Sequence, residues 1–224
     1  MFSSTQLLEL FIVLCIADLF RYASFTVRSS LIHAQAKSGP VRPDSTPTRL
    51  SVLISPLQGF VFFLVPTTYV LSVVCTGFHQ PQWMNALALP EVVFGVRLEG
   101  TWKNALRVLA CFARLPLRKM SESIFEHLGD QYHLIGRREK PRVVQTGPYA
   151  LVRHPLYTVA LFQVALQCLM FWSYVPLFAL VATAAIIAIK IPIEEEAIQR
   201  DAATREEYRA YMRKVPARLV PYVW

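Results

Sequence analysis

The sequence predicts an all-α fold: an integral membrane helical bundle of about five transmembrane helices that ends in a helix hairpin and a cytosolic tail. Three observations carry this. Hydrophobic residues make up 54% of the 224 residues, and the mean hydropathy of +0.37 is high for a soluble chain. Residues Ser51 to Phe78 form an uncharged run of 28. Two further apolar runs, Leu156 to Trp172 and Leu177 to Ile193, flank the turn residues Ser173-Tyr174-Val175-Pro176.

Taken in order, Leu7 to Phe20 is apolar apart from Glu9 and Asp18 and continues through small and aromatic residues to Val27. No Lys or Arg precedes it and no small-residue cleavage pattern ends it, so it reads as a retained span rather than a signal peptide. Arg21 to Arg49 holds five basic residues and prolines 40, 43 and 47, which predicts a cytosolic loop. In the span Ser51 to Phe78, Pro56 and Pro66 predict kinks. His79 to Trp83 reads as a turn.

Met84 to Leu117 is apolar on balance yet carries Glu91, Arg97, Glu99, Lys103 and Arg107. Alone it reads as an interfacial amphipathic helix. The loop 21–49 and the segment 113–155 are both basic, however, and placing both on the cytosolic side requires a second crossing after Ser51 to Phe78. One degenerate crossing is therefore expected within residues 84–113. Ser121-Glu122-Ser123 is a cap for a short helix toward Leu128, with Gly129 ending it. Each helix of the C-terminal hairpin has 17 residues and reaches about 26 Å, which suits the thinner endoplasmic reticulum bilayer. Two regions follow: 1–120, the N-terminal spans, and 121–224, the hairpin with its basic approach and cytosolic tail.

Net charge is +8, but the basic residues fall between apolar runs and form no aromatic-interleaved cluster, which argues against nucleic acid. Cys15, Cys75, Cys111 and Cys168 stand singly, and no His lies at ligand spacing, so neither disulfide nor metal is expected. No GxGxxG or P-loop pattern occurs.

The informative stretch is Thr146-Gly147-Pro148-Tyr149-Ala150-Leu151-Val152-Arg153-His154-Pro155-Leu156-Tyr157. Pro155 excludes His154 from the helical region and suits the first turn of the helix that follows, so His154 stands at a helix mouth. With Arg153 beside it, that mouth attracts an anionic group such as a carboxylate. Tyr149 and Tyr157 offer faces to a heterocycle or a cation. Taken singly, Arg153 and His154 are interfacial anchors and Glu194-Glu195-Glu196 a solvated face. The hairpin changes that, because it returns the glutamates to the membrane face that carries His154. Tyr208, Tyr211 and Val215 recur at helical spacing, as in an amphipathic helix resting on the membrane, and Pro216 ends it.

Together, Gly147-Pro148-Tyr149-x-x-Val152-Arg153-His154-Pro155-x-Tyr157, the hairpin, Glu195-Glu196, and Glu207-Tyr208-x-x-Tyr211-x-x-x-Val215-Pro216-x-x-x-x-Pro221 resemble the isoprenylcysteine carboxyl methyltransferase family. Related phospholipid methyltransferases share the first elements. The resemblance covers about residues 143–222. It implies an S-adenosylmethionine-dependent enzyme of the endoplasmic reticulum membrane that methylates the C-terminal carboxylate of prenylated cysteine, on protein C-termini whose lipid enters from the bilayer. It also implies a cofactor cradle of Gln145, Thr146, Gly147, Pro148, Tyr149, Arg153, His154, Pro155 and Tyr157. Glu196 and, second to it, Glu195 would hold the cofactor's amino or ribose groups or shape the acceptor site. The catalytic set is Glu196, Arg153 and Lys190, with Lys190 or Arg153 holding the acceptor carboxylate. Thr204-Arg205 and Lys190 stand where the family commonly has Phe-Gly and an arginine, and Pro141-Arg142 where it often has a histidine.

The alternatives are a phospholipid amine N-methyltransferase, in which Glu196 or His154 would be the base, and a non-catalytic membrane paralogue. Membrane sterol reductases share the C-terminal arrangement but are much larger.

Overall fold

The computed structural model describes residues 2–42, 49–93, 96–97 and 100–221. Helix α1, Ser4–Ser38, opens on Ser3, whose side chain accepts from the Gln6 amide while the Gln6 side chain accepts from the Ser3 amide. It ends at Gly39, whose φ of 75° leaves the helical region. The loop expected from Arg21 is thus helix as far as Ser38. Spaced basic residues do not stop a helix, and the first strong breaker is Gly39-Pro40. Pro43, Pro47 and Glu99 lie outside the described residues.

Helix α2, Arg49–Cys75, contains both Pro56 and Pro66. After the short helix α3, Gln82–Asn85, the strands β1, Val92–Val93, and β2, Val96–Arg97, pair antiparallel. Helices α4, Gly100–Phe112, and α5, Arg114–Leu128, follow in series. The hairpin is α6, Pro155–Met170, and α7, Val175–Arg200; the tail carries α8, Arg205–Lys214. Gly129 ends α5 at φ 51°, as its position implies, but Ser121 lies in mid-helix rather than at a cap.

Among the described residues three helices are long and apolar enough to cross a membrane: α1, the Leu53–Cys75 part of α2, and α7; α6 is a shorter apolar helix. The chain is a multi-pass helical membrane bundle. The degenerate crossing expected within 84–113 is not there in that form, since α4 starts only at Gly100 and has 13 residues, about 20 Å. Instead α4 and α5 follow in series along α6, and neither is among the helices long and apolar enough to cross a membrane. At one end of the bundle Arg107 of α4 donates through Nε to the Met170 carbonyl at 2.8 Å. At the other, His127 of α5 lies against Gly147, just before α6 begins.

The ends are consistent across the bundle. The Gln6 side chain donates to the Gly77 carbonyl at 3.0 Å, and Ser173 Oγ donates to the Met84 carbonyl at 3.0 Å. At the opposite end Ser38 Oγ donates to Asp130 at 2.8 Å, and Arg138 to the Gly39 carbonyl at 2.8 Å. The core between them packs Ile12 and Ile16 of α1, Tyr69 and Val73 of α2, and Val164 and Met170 of α6, with Tyr69 stacked on Phe171 at 4.0 Å. Within it Arg107 pairs with Glu9 at 2.8 Å, and the Tyr69 hydroxyl donates to the same carboxylate. That pairing explains how a charge sits in the bundle.

Candidate functional site

Pro155 occupies the first turn of α6, and His154 precedes it at φ −126°, ψ 59°, outside the helical region. Upstream, Gly147–Ala150 forms a 3₁₀ turn that starts with Gly147 at φ 60°. This turn buries Pro148 and Tyr149. A Cβ on Gly147 would come within 2.5 Å of His127 Nε2, so both the backbone angle and the neighbour demand glycine.

Helix α7 returns three successive glutamates to this level, and successive helical side chains point about 100° apart. Glu195 faces inward and is 4% exposed. Its Oε1 accepts from Arg153 Nε at 2.8 Å and lies 3.3 Å from His154 Nε2, while Oε2 pairs with Arg218 at 3.1 Å. Glu194 accepts from the Tyr157 hydroxyl at 2.5 Å, with His154 Nδ1 at 3.6 Å and Lys190 Nζ at 3.8 Å. Glu196 is on the exposed side and pairs with Arg200 at 2.6 Å.

Arg153 also donates through Nη1 to the carbonyls of Val215 at 2.8 Å and Pro216 at 2.6 Å. The Arg153 and His154 amides donate to the carbonyls of Ala217 and Arg218 at 3.0 and 2.9 Å, and Thr158 Oγ1 to that of Leu219 at 2.7 Å. The tail is therefore strapped across the start of α6, and the helix mouth that was expected to attract an anionic group carries residues 217–219. Helix α8 does not rest its apolar face on the membrane: Tyr208, Tyr211 and Val215 are buried with Val143 and Ile198, and Tyr211 donates to the Tyr149 carbonyl at 2.6 Å. Periodicity gives the face of a helix but not what covers it.

These elements enclose a cavity of about 140 Å³ with charged and aromatic walls, among them His133, Arg137, Arg142, Tyr149, Arg153, His154, Tyr157, Glu194, Tyr208 and Tyr211. Beside it, inside the bundle, lies a larger cavity of about 250 Å³ with walls including Leu19, Ala23, Gly59, Phe62, Phe63, Phe125, Val159 and Ala160, together with Lys190. Tyr132, Leu156 and Tyr157 line both. Lys190 Nζ is held at the apolar side by Gln58 Oε1 at 3.0 Å and lies 5.1 Å from the centre of the Tyr157 ring.

Of the residues singled out in the sequence, Tyr149, Arg153, His154 and Tyr157 line the polar cavity. Glu195 stands directly behind it and ties Arg153 to His154. Lys190 faces the apolar cavity. Gln145 donates to Glu207 at 3.0 Å at the surface, while Thr146, Gly147, Pro148 and Pro155 shape the backbone without lining either cavity. Glu196 is not brought to the group.

Sequence reasoning missed Glu194, His133 and Arg137 as cavity residues; only the rotation of α7 and the fold of 129–145 select them. His133 Nδ1 donates to the Gln131 carbonyl at 2.6 Å, and burial lowers its pKa to about 4, with Arg137 and Arg138 adding to the effect against that hydrogen bond. Burial beside Glu194 pushes the Tyr132 phenol up to about 12. The cavity therefore presents the neutral His133 imidazole and Tyr132 phenol beside Glu194 and the guanidiniums of Arg137, Arg142 and Arg153.

Residues 108–200 match the model of the isoprenylcysteine carboxyl methyltransferase family. The match takes in the end of α4, α5, the turn at Gly147 and the whole hairpin, and it stops before α8. No curated protein matches the chain.

Proposed function

We propose that the chain, whose residues 108–200 match the isoprenylcysteine carboxyl methyltransferase family, transfers a methyl group from S-adenosylmethionine to the C-terminal carboxylate of a prenylated cysteine. One observation carries this choice of acceptor. Lys190 and Glu194, four residues apart on α7, pair at 3.8 Å, yet the lysine lines the apolar cavity and the glutamate the polar one. That polarity suits an anionic acceptor on a lipid in the first and a cationic donor in the second.

The polar cavity fits the cofactor by the chemistry of its walls. Glu194 is a partner for an amine, Arg142 for a carboxylate, and Tyr149, Tyr208 and Tyr211 for a heterocycle and a positive sulfur. When bound, S-adenosylmethionine supplies a methyl group on a sulfonium. An ionised carboxylate acceptor would take that methyl without a proton being moved, so no residue of this chain need act as acid or base. Catalysis is then positioning and exclusion of water. Lys190 holds the acceptor carboxylate, Tyr157 and Leu156 shape the passage between the cavities, and Glu195 fixes Arg153 and His154 in place.

The partners are prenylated protein C-termini and the lipid bilayer. The 16 residues of α6, about 24 Å long, favour the thinner endoplasmic reticulum membrane. An amine acceptor would place a cation beside Lys190, which argues against phospholipid N-methylation.

The test uses membranes containing the protein, methyl-labelled S-adenosylmethionine and N-acetyl-S-farnesylcysteine, with phosphatidylethanolamine as the competing acceptor. Base-labile label on the prenylcysteine is expected. Label on the phospholipid alone, or cofactor binding without transfer to either, would overturn the proposal.

A further inference from the structure

Arg137 is a buried guanidinium in the wall of the polar cavity, 4% exposed. The backbone that carries it is fixed from the N-terminal half: the Arg42 amide donates to the Arg137 carbonyl at 2.8 Å, and Val41 bridges to Arg138. Its side chain is fixed from the other direction, by the turn that leads from α7 into α8. Nη2 donates to Thr204 Oγ1 at 3.2 Å, and Nε lies 3.7 Å from Asp201 Oδ2. Both partners are themselves held. Thr204 Oγ1 donates to the Ile198 carbonyl at 3.3 Å, Asp201 Oδ1 accepts from the Ala203 amide at 3.1 Å, and Asp201 Oδ2 takes Arg42 Nη2 at 2.6 Å. Thr204 departs from the pattern of the family that the chain resembles, and its hydroxyl gives this guanidinium an acceptor that a phenyl ring would not.

Arg142 and Arg153 line the same cavity. Arg153 is engaged by Glu195 and by the carbonyls of Val215 and Pro216. Arg142, its side chain 54% exposed, pairs with Asp130 at 2.9 Å. Arg137 combines burial with a fixed orientation, and an ion pair with a ligand gains most where water is excluded.

We infer that Arg137 is a cofactor-binding residue that recognises the carboxylate of S-adenosylmethionine, and that Thr204, Asp201 and Arg42 are positioning residues that act through it. The inference rests on the cofactor reading proposed above and adds to it three residues outside the matched stretch 108–200. The cofactor carries one carboxylate, and the planar fork of an arginine meets a carboxylate in parallel N–H···O bonds. With Glu194 as the partner of the amine, the cavity reads both charged groups of the amino-acid end.

The experiment measures binding alone, by calorimetry on the full chain in lipid nanodiscs, with S-adenosylmethionine and with its decarboxylated form, which keeps the amine and the sulfonium. Wild type should bind the first more tightly by about tenfold or more, as a charge-assisted hydrogen bond in a buried site provides. Arg137→Met should remove that preference, weakening S-adenosylmethionine by the same factor while the decarboxylated form binds as before. Asp201 keeps its 2.6 Å pair with Arg42 in this variant, so no buried carboxylate is stranded. Thr204→Val, which keeps the volume and loses the acceptor, guards against a failure of the first variant to insert: the preference should fall severalfold and return in Thr204→Ser. Equal wild-type affinity for the two ligands would overturn the inference, as would an unchanged preference in inserted Arg137→Met or Thr204→Val. A loss shared equally by both ligands would also overturn it, since that is the mark of a structural role. If wild type binds neither ligand, the cofactor reading itself fails and the inference falls with it.

Discussion

The Tyr157 hydroxyl donates to Glu194 Oε1 at 2.5 Å, joining the first turn of α6 to α7 at the wall where the two cavities meet. Lys190 stands one turn earlier, pairs with the same carboxylate at 3.8 Å and lines the second cavity. The two charges should therefore separate kinetically. Glu194→Gln keeps an acceptor for Tyr157 but removes the carboxylate, and it is expected to weaken cofactor affinity by about tenfold, or 1.4 kcal/mol. Lys190→Met should raise KM for the prenylcysteine by a similar factor while leaving cofactor affinity close to wild type. Binding of S-adenosylmethionine by calorimetry, set beside steady-state turnover, distinguishes the two. Unchanged cofactor affinity in Glu194→Gln would remove Glu194 from the cofactor's partners.

Glu195 and Glu196 should behave oppositely although they are adjacent. Glu195 is buried and holds Arg153, His154 and Arg218 together, so Glu195→Ala strands a buried guanidinium and should cost about 3–5 kcal/mol. Glu196 makes an exposed pair one turn along its own helix, and Glu196→Ala should cost under about 0.5 kcal/mol. Thermal inactivation in detergent measures both, and the methyl-transfer rate of Glu196→Ala should stay close to wild type. A Glu196→Ala enzyme that is stable but inactive would contradict the geometry of α7.

What could be read from the chain alone divides along physical lines. Pro155, Gly129 and the turn at Ser173 act on their own backbone, so the start and turn of the hairpin and the end of α5 were legible, whereas α7 runs to Arg200, past the expected Ile193. The path of α4 and α5 along α6 was not legible. Arg107 makes its segment look interfacial, and the Glu9 carboxylate that neutralises it comes from α1. The choice among Glu194, Glu195 and Glu196 depends on the rotation of α7 against α6, which composition does not encode. Tyr208 and Tyr211 announced an apolar face, but that Ile198 and Val143 cover it is a tertiary fact. The run Gly147 to Tyr157 was the exception among the site elements, because glycine and proline report backbone geometry directly.

Gly147 offers a test of that geometry. Gly147→Ala forces an L side chain to φ 60° and sets its Cβ against the His127 ring. A left-handed non-glycine residue costs about 1–3 kcal/mol, and the contact adds to this. The double variant Gly147→Ala with His127→Ala should recover the contact but not the backbone cost, leaving it between Gly147→Ala and wild type in heat stability. Full recovery would show that the turn tolerates alanine and that crowding alone demands glycine.

His133 gives the fold a pH dependence of defined sign. Its pKa falls from the ordinary 6.5 to about 4 in the folded protein, through burial with Arg137 and Arg138 nearby. Between those values the unfolded chain binds a proton that the folded chain refuses, so stability is full above pH 6.5 and declines as the pH falls toward 4. From pH 6.5 to 5.0 the loss is at most about 2 kcal/mol, a few degrees of melting temperature for a chain of this size. Asp130 acts in the same direction but lower. Burial, which raises its pKa, is outweighed by hydrogen bonds from Ser38, Arg142 and Gln131 that bring it to about 2, so its contribution is lost only below about pH 4. In His133→Gln the change in melting temperature between pH 7.5 and 5.0 should shrink by those few degrees. The imidazole is also neutral over that range, so cofactor affinity should not acquire an inflection near pH 6.5 from this residue. An inflection there that disappears in His133→Gln would mean that His133 titrates normally in the open cavity.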